Sequence, residues 1–97
     1  MLAMNDFDFL QKTPKEINQL IATRIRSIRK KKNMSQQLLS ERSGVSYGSV
    51  KRFEQSGEIS LISLTKIAIA LEVSLELENL FEDMPILSIE EIIHGQS

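Results

Sequence analysis

The stretch 35-SQQLLSERSGVSYGSVKRFEQSG-57 decides how this chain is expected to fold. Ser35 is a preferred helix N-cap residue, and the eight residues after it are compatible with a short helix. Gly44 is expected to end that helix, because glycine adopts a left-handed conformation without steric cost. Ser46 then caps a second helix, which Gly57 ends in the same way.

The two helices are predicted over residues 36–43 and 47–56, with a glycine-containing turn of about three residues between them. This order is that of a helix-turn-helix unit. The side chains expected to face the core are Leu38, Leu39, Val50 and Phe53. The second helix then carries on its outer sides Tyr47, Ser49, Lys51 and Arg52. Gly48 is unusual inside a helix, and two explanations stay open: close approach of a ligand or backbone, or ordinary tolerance near a helix N-terminus.

The net charge of −1 hides a separation of charge along the chain. Residues 24–52 hold nine Lys and Arg side chains against one Glu, or +8, whereas residues 53–97 hold nine acidic side chains against one Lys, or −8. Such asymmetry suggests one face for a polyanion and another that avoids it. Because the basic part coincides with the helix-turn-helix, we favour a binding surface over two solvated charged faces.

The composition narrows the class of protein. A chain of 97 residues is expected to form one domain, and the absence of cysteine excludes disulfides and Cys-based metal sites. No apolar run approaches the length of about 20 residues that spans a bilayer, and the acidic N-terminus is not a signal peptide. We therefore expect a soluble cytoplasmic protein without metal or cofactor. With His94 as its only histidine and no catalytic constellation, an enzyme is disfavoured.

Three further helices are expected around this unit. The first begins at Thr13 with a capping box to Glu16 and ends at Asn33, and Met34 after it is expected to be buried. Its apolar stripe contains Ile17, Leu20, Ile21, Ile25 and Ile28. The fourth helix covers 61–71 after Ser60, and its stripe contains Leu61, Leu64, Ile67, Ala68 and Leu71. Because Ile62 and Ile69 lie beside that stripe, burial on two sides is expected. Ser74 is predicted to cap a fifth helix containing Leu75, Leu77, Leu80 and Phe81.

The two ends of the chain differ from the helical part. Residues 1–15 are expected to be an arm that packs on the domain or on a partner, or stays disordered. Residues 82–97 are a tail in which Pro85 bars helix continuation and Ser88 with Glu91 forms a capping box. A helix in this tail would be too short to be stable alone, so its apolar side needs another surface to pack on.

The run RIRSIRKKKNMSQQLLSERSGVSYGSVKRFEQSG, followed by SLISLTKIAIALEVSLELENLF, resembles the DNA-binding domain of the phage repressor/Cro family, also called the XRE family. The resemblance spans about residues 16–81 and implies an all-α, five-helix lambda-repressor-like domain between the arm and the tail. Three residues depart from the family pattern: Glu72 replaces a usual glycine, Leu38 a frequent glutamate, and Ser40 a usual alanine.

The resemblance implies a sequence-specific regulator that binds double-stranded DNA, most simply a dimeric repressor, with helix 47–56 in the major groove. The expected DNA-binding residues are Ser35, Gln36, Gln37, Ser46, Tyr47, Gly48, Ser49, Lys51 and Arg52. Arg52 is the best candidate for base discrimination, with a phosphate contact as the alternative. By the same resemblance, Glu54 pairs with Arg29 of the first helix as a structural ion pair.

The alternative function is an antitoxin, similar to those of the HipB type, that binds a toxin protein through the tail and represses its own operon. A further alternative is an adaptor that has lost DNA binding. The basic residues kept in helix 47–56 argue against it. A homodimer is expected, formed by the fifth helix or by the tail.

Overall fold

The computed structural model describes residues 11–83, which contain five helices and no strand. The helices are α1 Pro14–Lys31, α2 Gln36–Ser43, α3 Tyr47–Ser56, α4 Leu61–Ala70 and α5 Ser74–Glu78. The all-α class is therefore confirmed. None of the described helices is long and apolar enough to cross a membrane. Most of the arm and the tail, including the capping box after Pro85, lie outside the described residues.

The core forms where α2 and α3 meet α1 and α4. Helix α1 packs on α3, α2 contacts both α3 and α4, and α5 packs on α4. The largest fully buried side chains are Leu39, Val50, Phe53, Ile67 and Leu71. Burial of each such side chain stabilises the fold by about 1.5–3 kcal/mol. Because α3 supplies two of them, its inner side is fixed and its outer sides are turned to solvent.

The predicted starts of four helices are confirmed by hydrogen bonds. The Ser35, Ser46 and Ser60 hydroxyls each accept the backbone N–H three residues later. Thr13 and Glu16 form a reciprocal capping box. These contacts satisfy N–H groups that otherwise have no partner in a helix.

The predicted ends of the first three helices are also confirmed. Gly44 has φ +76° and Gly57 has φ +81°, both in the left-handed region. Asn33 takes φ +57° after α1, where its N–H donates to the Lys30 carbonyl at 3.0 Å. The Met34 N–H donates to the Arg29 carbonyl at 3.1 Å, and the Met34 side chain is buried. This pair of bonds is a Schellman ending, which turns the chain sharply into α2.

Glu72 occupies the same kind of position after α4, with φ +62°. The Glu72 N–H donates to the Ile69 carbonyl at 3.0 Å, and the Val73 N–H donates to the Ala68 carbonyl at 2.8 Å. This ending favours glycine, because a Cβ in the left-handed conformation costs about 1–2 kcal/mol. The departure from the family pattern is therefore a strained residue.

Replacing Glu72 with glycine is expected to stabilise the protein by about 1 kcal/mol, because the strain is relieved. The variant loses only the exposed ion pair between Lys32 Nζ and Glu72 Oε1 at 3.7 Å, a kind of contact that contributes little. The midpoint of urea denaturation measures the change. Glu41→Gly in the right-handed backbone of α2 is the control, and it is expected to destabilise by a similar amount. Loss of stability in both variants would contradict the assignment.

The prediction for the fifth helix is wrong at both ends. Ser74 is the first helical residue and not the N-cap, since Val73 holds that position without a side-chain hydrogen bond. The N-cap role needs extended backbone, as at Ser35 with ψ 163°, whereas Val73 has ψ 22° directly after the turn at Glu72. The helix ends at Glu78, so Leu80 and Phe81 follow it.

Several apolar residues that were predicted to be buried are exposed within the described part of the chain, residues 11–83. Leu61, Ile62 and Ile69 of α4 are 70%, 67% and 60% exposed. Helix α4 is covered only along the side of Ile67 and Ala68, where α2 and α5 pack. On α1 the same applies to the outer stripe residues Ile17 and Ile21, whereas the buried positions are Ala22, Ile25 and Arg29.

Candidate nucleic-acid interface

Helix α3 carries four of the nine predicted contact residues on its exposed side. Val50 and Phe53 point into the core, so the positions one turn apart on the opposite side are outward. The exposed residues of that side are Tyr47, Gly48, Lys51 and Arg52. The structure therefore brings a phenol, a bare stretch of backbone and two cations together on the N-terminal two turns of α3.

Tyr47 and Lys51 are held together on this surface. The Lys51 ammonium lies 4.8 Å from the centroid of the Tyr47 ring, within the range of a cation–π contact. Residues four apart in a helix face each other, which explains the pairing. The contact restricts both side chains before any ligand arrives.

Ser46 and Ser49 form a hydroxyl pair at the start of α3. The Ser46 Oγ accepts the Ser49 backbone N–H at 3.1 Å and donates to the Ser49 Oγ at 2.8 Å. The cap therefore uses the Ser46 hydroxyl. Since each hydroxyl carries one proton, the Ser49 proton remains available to an acceptor outside the protein.

Gly48 has no neighbour within the domain that requires glycine. A Cβ built at this position meets no atom within 4 Å, and its φ is not in the left-handed region. Packing inside the domain is therefore not the reason for a glycine here. The sequence left two explanations open for this glycine. If close approach is the reason, the group that approaches Gly48 belongs to a molecule outside the domain.

Glu54 is the centre of a buried clamp that joins α1, α2 and α3. The Arg29 Nε donates to Glu54 Oε2 at 2.7 Å, and the Arg29 Nη2 donates to Glu54 Oε1 at 2.9 Å. The Gln36 Nε2 donates to Glu54 Oε1 at 2.9 Å, and the Arg29 Nη1 donates to the Met34 carbonyl at 2.7 Å. The side chains of Arg29 and Glu54 are 8% and 3% exposed, so this pair is largely dehydrated.

The pKa of Glu54 is held below its ordinary value near 4.5. Burial by itself raises the pKa of this carboxyl. The hydrogen bonds from Arg29 and Gln36, with the charges of Arg29 and Arg26, together outweigh that effect. Glu54 is therefore ionised at neutral pH and accepts from both neighbouring helices.

The N-terminus of α2 places the other predicted residues. Ser35 and Gln37 are exposed, while Gln36 is half-buried because its amide reaches Glu54. The Ser35 hydroxyl takes the Leu38 N–H at 3.0 Å. The first two N–H groups of the helix, at Gln36 and Gln37, have no acceptor inside α2 by helix geometry. Together with the helix dipole they favour an anion at this end.

Two serines in the second half of α2 hold the turn between α2 and α3, a role that the sequence did not indicate. The Ser40 hydroxyl donates to the Val45 carbonyl at 2.6 Å, and the Ser43 hydroxyl accepts the Val45 N–H at 3.1 Å. Val45 itself is buried. Ser40 therefore replaces the alanine of the family pattern with a hydrogen bond that fixes the turn. Turn chemistry of serine was the available signal.

Arg26 also contributes to the electrostatics of Glu54, a role that the sequence did not indicate. Its Nε lies 3.9 Å from Glu54 Oε1, and its side chain is 54% exposed. Lys30 and Lys31 are exposed in the last turn of α1, where cations also interact favourably with the helix dipole. Arg26 thus adds an exposed cation beside the buried clamp on the α1 side.

This geometry defines the class: an all-α DNA-binding domain of the helix-turn-helix type. Residues 25–77, more than half of the chain, match the model of the family described as Helix-turn-helix. The chain belongs to this family, of the Cro/C1 or XRE type, whose members are DNA-binding transcription regulators and typically not enzymes. Comparisons with curated proteins and with solved structures give no significant match.

Proposed function

We propose that the protein is a sequence-specific transcription regulator that reads double-stranded DNA through α3 in the major groove. The observation that carries the proposal is the contrast between the two sides of α3. One side is held by Phe53 and the Glu54 clamp, and the other presents Lys51 and Arg52 to solvent. A rigid helix with outward cations suits groove recognition, in which N-terminal residues of the helix contact base edges. We assign this role to a domain spanning 16–81.

Arg52 is proposed as the main base reader. A guanidinium can donate to the O6 and N7 atoms of one guanine, which is worth about 1–3 kcal/mol of discrimination. Arg52 is exposed, and unlike Arg29 it lies outside the clamp. Tyr47 and Ser49 are proposed to complete the readout with a thymine methyl group and a hydroxyl donor. Gly48 is proposed to let a base edge or a sugar approach the backbone.

The N-termini of α2 and α3 are proposed to hold phosphates. Ser35, Gln36 and Gln37 supply the first site, with the free amide proton of Gln36 and the uncapped N–H groups of α2. Ser46 marks the second site, and Lys51 lies between base and phosphate. Each phosphate neutralised steepens the salt dependence of binding by about one counterion. Because Gln36 also bonds to Glu54, phosphate binding at α2 is tied to the position of α3.

We further propose that the protein acts as a homodimeric repressor. The support is the group of large apolar side chains exposed at the acidic end of the domain: Ile69, Leu75, Leu80 and Phe81. A two-fold dimer places two copies of α3 about 34 Å apart, which matches successive major grooves. The alternative, an antitoxin with a toxin partner, rests on the apolar pattern of the tail, which lies outside the described residues.

Arg52→Ala is expected to lower the affinity for the protein's own upstream DNA by about 1–3 kcal/mol, or about 5- to 150-fold. Affinity for random DNA is expected to fall much less, because a base contact is lost. A gel-shift titration of both DNAs at several salt concentrations measures the ratio. Arg42→Ala, in the last turn of α2, is the matched control and should leave the ratio unchanged. Equal losses on both DNAs would identify Arg52 as a phosphate contact.

A further inference from the structure

An open apolar groove of about 160 Å³ lies between the first half of α1, the end of α3 and the start of α4. Its apolar lining consists of Ile21, Phe53, Ile59, Leu61 and Leu64. Phe53 is fully buried at the bottom, while Leu61 is 70% exposed at the rim. An apolar cavity of about 150 Å³ lined by such side chains holds a benzene molecule. The groove therefore has the size and chemistry for one aromatic side chain.

The groove lies away from the surface proposed to meet DNA. It touches α3 at Phe53, in the last half of that helix, whereas the outward residues Tyr47 and Gly48 are in the first turn. A group bound in the groove can therefore pack against the buried side of α3 without covering the surface proposed to bind DNA. Occupancy of the groove does not depend on the proposed function.

We propose that the N-terminal arm of the same chain occupies this groove, with the Phe7 ring packed against Phe53. The residues Asp6–Leu10 read DFDFL, in which acidic and aromatic side chains alternate. An extended segment with this period places both Phe side chains on one side and both Asp side chains on the other. The aromatic side then faces the apolar lining, and the acidic side faces water.

The length of the arm favours Phe7. Helix α1 rises about 1.5 Å per residue, so Ile21 lies about 10 Å along its axis from Pro14. Six extended residues from Phe7 to Thr13 reach about 20 Å, which leaves length for the chain to reverse direction. The four residues from Phe9 to Thr13 reach about 13 Å, which leaves almost none. Phe7 is thus the aromatic residue with enough chain to turn back along α1.

The charge of the arm supports the same location. Residues 6–10 contain Asp6 and Asp8 and no basic residue, so this part of the arm is acidic and is repelled by a polyanion. The groove has no charged side chain in its lining, so the aromatic side of the arm can enter it while the two Asp side chains stay in water. An acidic arm with an apolar side therefore fits the groove better than the DNA surface.

A single tryptophan tests the proposal, because the chain contains none. In the full-length Phe7→Trp protein, we expect blue-shifted emission and slow quenching by acrylamide, both lost in urea. Adding Leu61→Glu at the rim of the groove should shift the emission to that of an exposed indole. Ile62→Glu is the matched control, since Ile62 is 67% exposed but does not line the groove, and it should leave the emission unchanged.

A second measurement covers the case in which tryptophan is too large for the groove. Phe7→Ala should lower the urea midpoint of the otherwise unchanged protein and have no further effect in the Leu61→Glu background. The proposal is overturned if the indole is solvent-exposed and Phe7→Ala leaves the midpoint unchanged. It is also overturned if Leu61→Glu and Ile62→Glu act alike. A blue shift that disappears on dilution would overturn it in favour of the arm of a second copy.

Discussion

Arg29→Met is expected to lower the free energy of unfolding by about 3–5 kcal/mol, because it leaves the buried Glu54 carboxylate without its main partner. Arg29 makes three hydrogen bonds, two to Glu54 and one to the Met34 carbonyl, and methionine replaces none of them. After the substitution Glu54 keeps only the Gln36 amide at 2.9 Å and the more distant Arg26 at 3.9 Å. Urea denaturation followed by circular dichroism measures the loss.

Two controls separate the buried charge from the loss of any cation. Lys32→Met removes an exposed ion pair with Glu72 and is expected to cost less than about 0.5 kcal/mol. The double variant Arg29→Met with Glu54→Leu is expected to recover most of the stability, because no unpaired charge remains in the interior. An Arg29→Met protein as stable as the Lys32→Met protein would show that Glu54 does not depend on Arg29.

The pH dependence of the same difference comes from the pKa of Glu54. The folded-state pKa is lower than the ordinary value near 4.5, so the unfolded chain binds this proton more readily. The stability that Glu54 contributes is therefore complete above pH 4.5 and is lost as the pH falls through the folded-state pKa. The difference between the original protein and Arg29→Met should narrow in that range. A difference that stays constant down to about pH 3 would contradict it.

Gly57→Ala is expected to destabilise the protein by about 2–4 kcal/mol, more than the same change at Gly44. Both glycines have similar positive φ values, +81° and +76°, so each substitution carries the left-handed cost of about 1–2 kcal/mol. Only at Gly57 does a Cβ also meet the backbone, at 2.8 Å from the Asn18 carbonyl carbon and 3.0 Å from its oxygen. Helix α1 has to move away from the end of α3 to admit it.

Gly44→Ala is the matched control, because a Cβ at Gly44 meets no atom within 4 Å. Thermal unfolding of the two variants gives the contribution of the close approach as the difference between their losses. We expect Gly57→Ala to reduce DNA affinity as well, since the displacement alters how α1 supports α3. Equal losses of stability in the two variants would show that the contact between Asn18 and Gly57 relaxes without cost.

Most starts and ends of the helices could be predicted from the sequence, because the interactions that set them are local. A cap hydroxyl such as that of Ser46 acts within three residues, and a left-handed glycine such as Gly44 ends a helix wherever it packs. The fifth helix was misread for the same reason. Ser74 looks like a cap, but the turn at Glu72 brings the chain into the helix one residue earlier, with Val73 in a backbone conformation that cannot cap.

The burial of individual side chains could be predicted less well, because it depends on which other elements pack against a helix. The stripe on α4 correctly includes Ile67, but its period does not reveal that α2 and α5 leave Leu61 uncovered. On α1 the arginine at position 29 lies in line with Ala22 and Ile25, a spacing that marks it as buried. Without the family resemblance, nothing in the sequence names its partner, because Glu54 is 25 residues away.

The connections between the helices have a consequence for how such a domain can change. They contain only three or four residues each, and every one includes a residue with positive φ: Asn33, Gly44, Gly57 and Glu72. Each residue added to a helix rotates the later side chains by about 100°, so one insertion early in α3 would turn Arg52 away from its present side. The same insertion would turn Val50 and Phe53 out of the core, whereas exchange of an outward side chain such as Arg52 leaves the buried side of α3 unchanged.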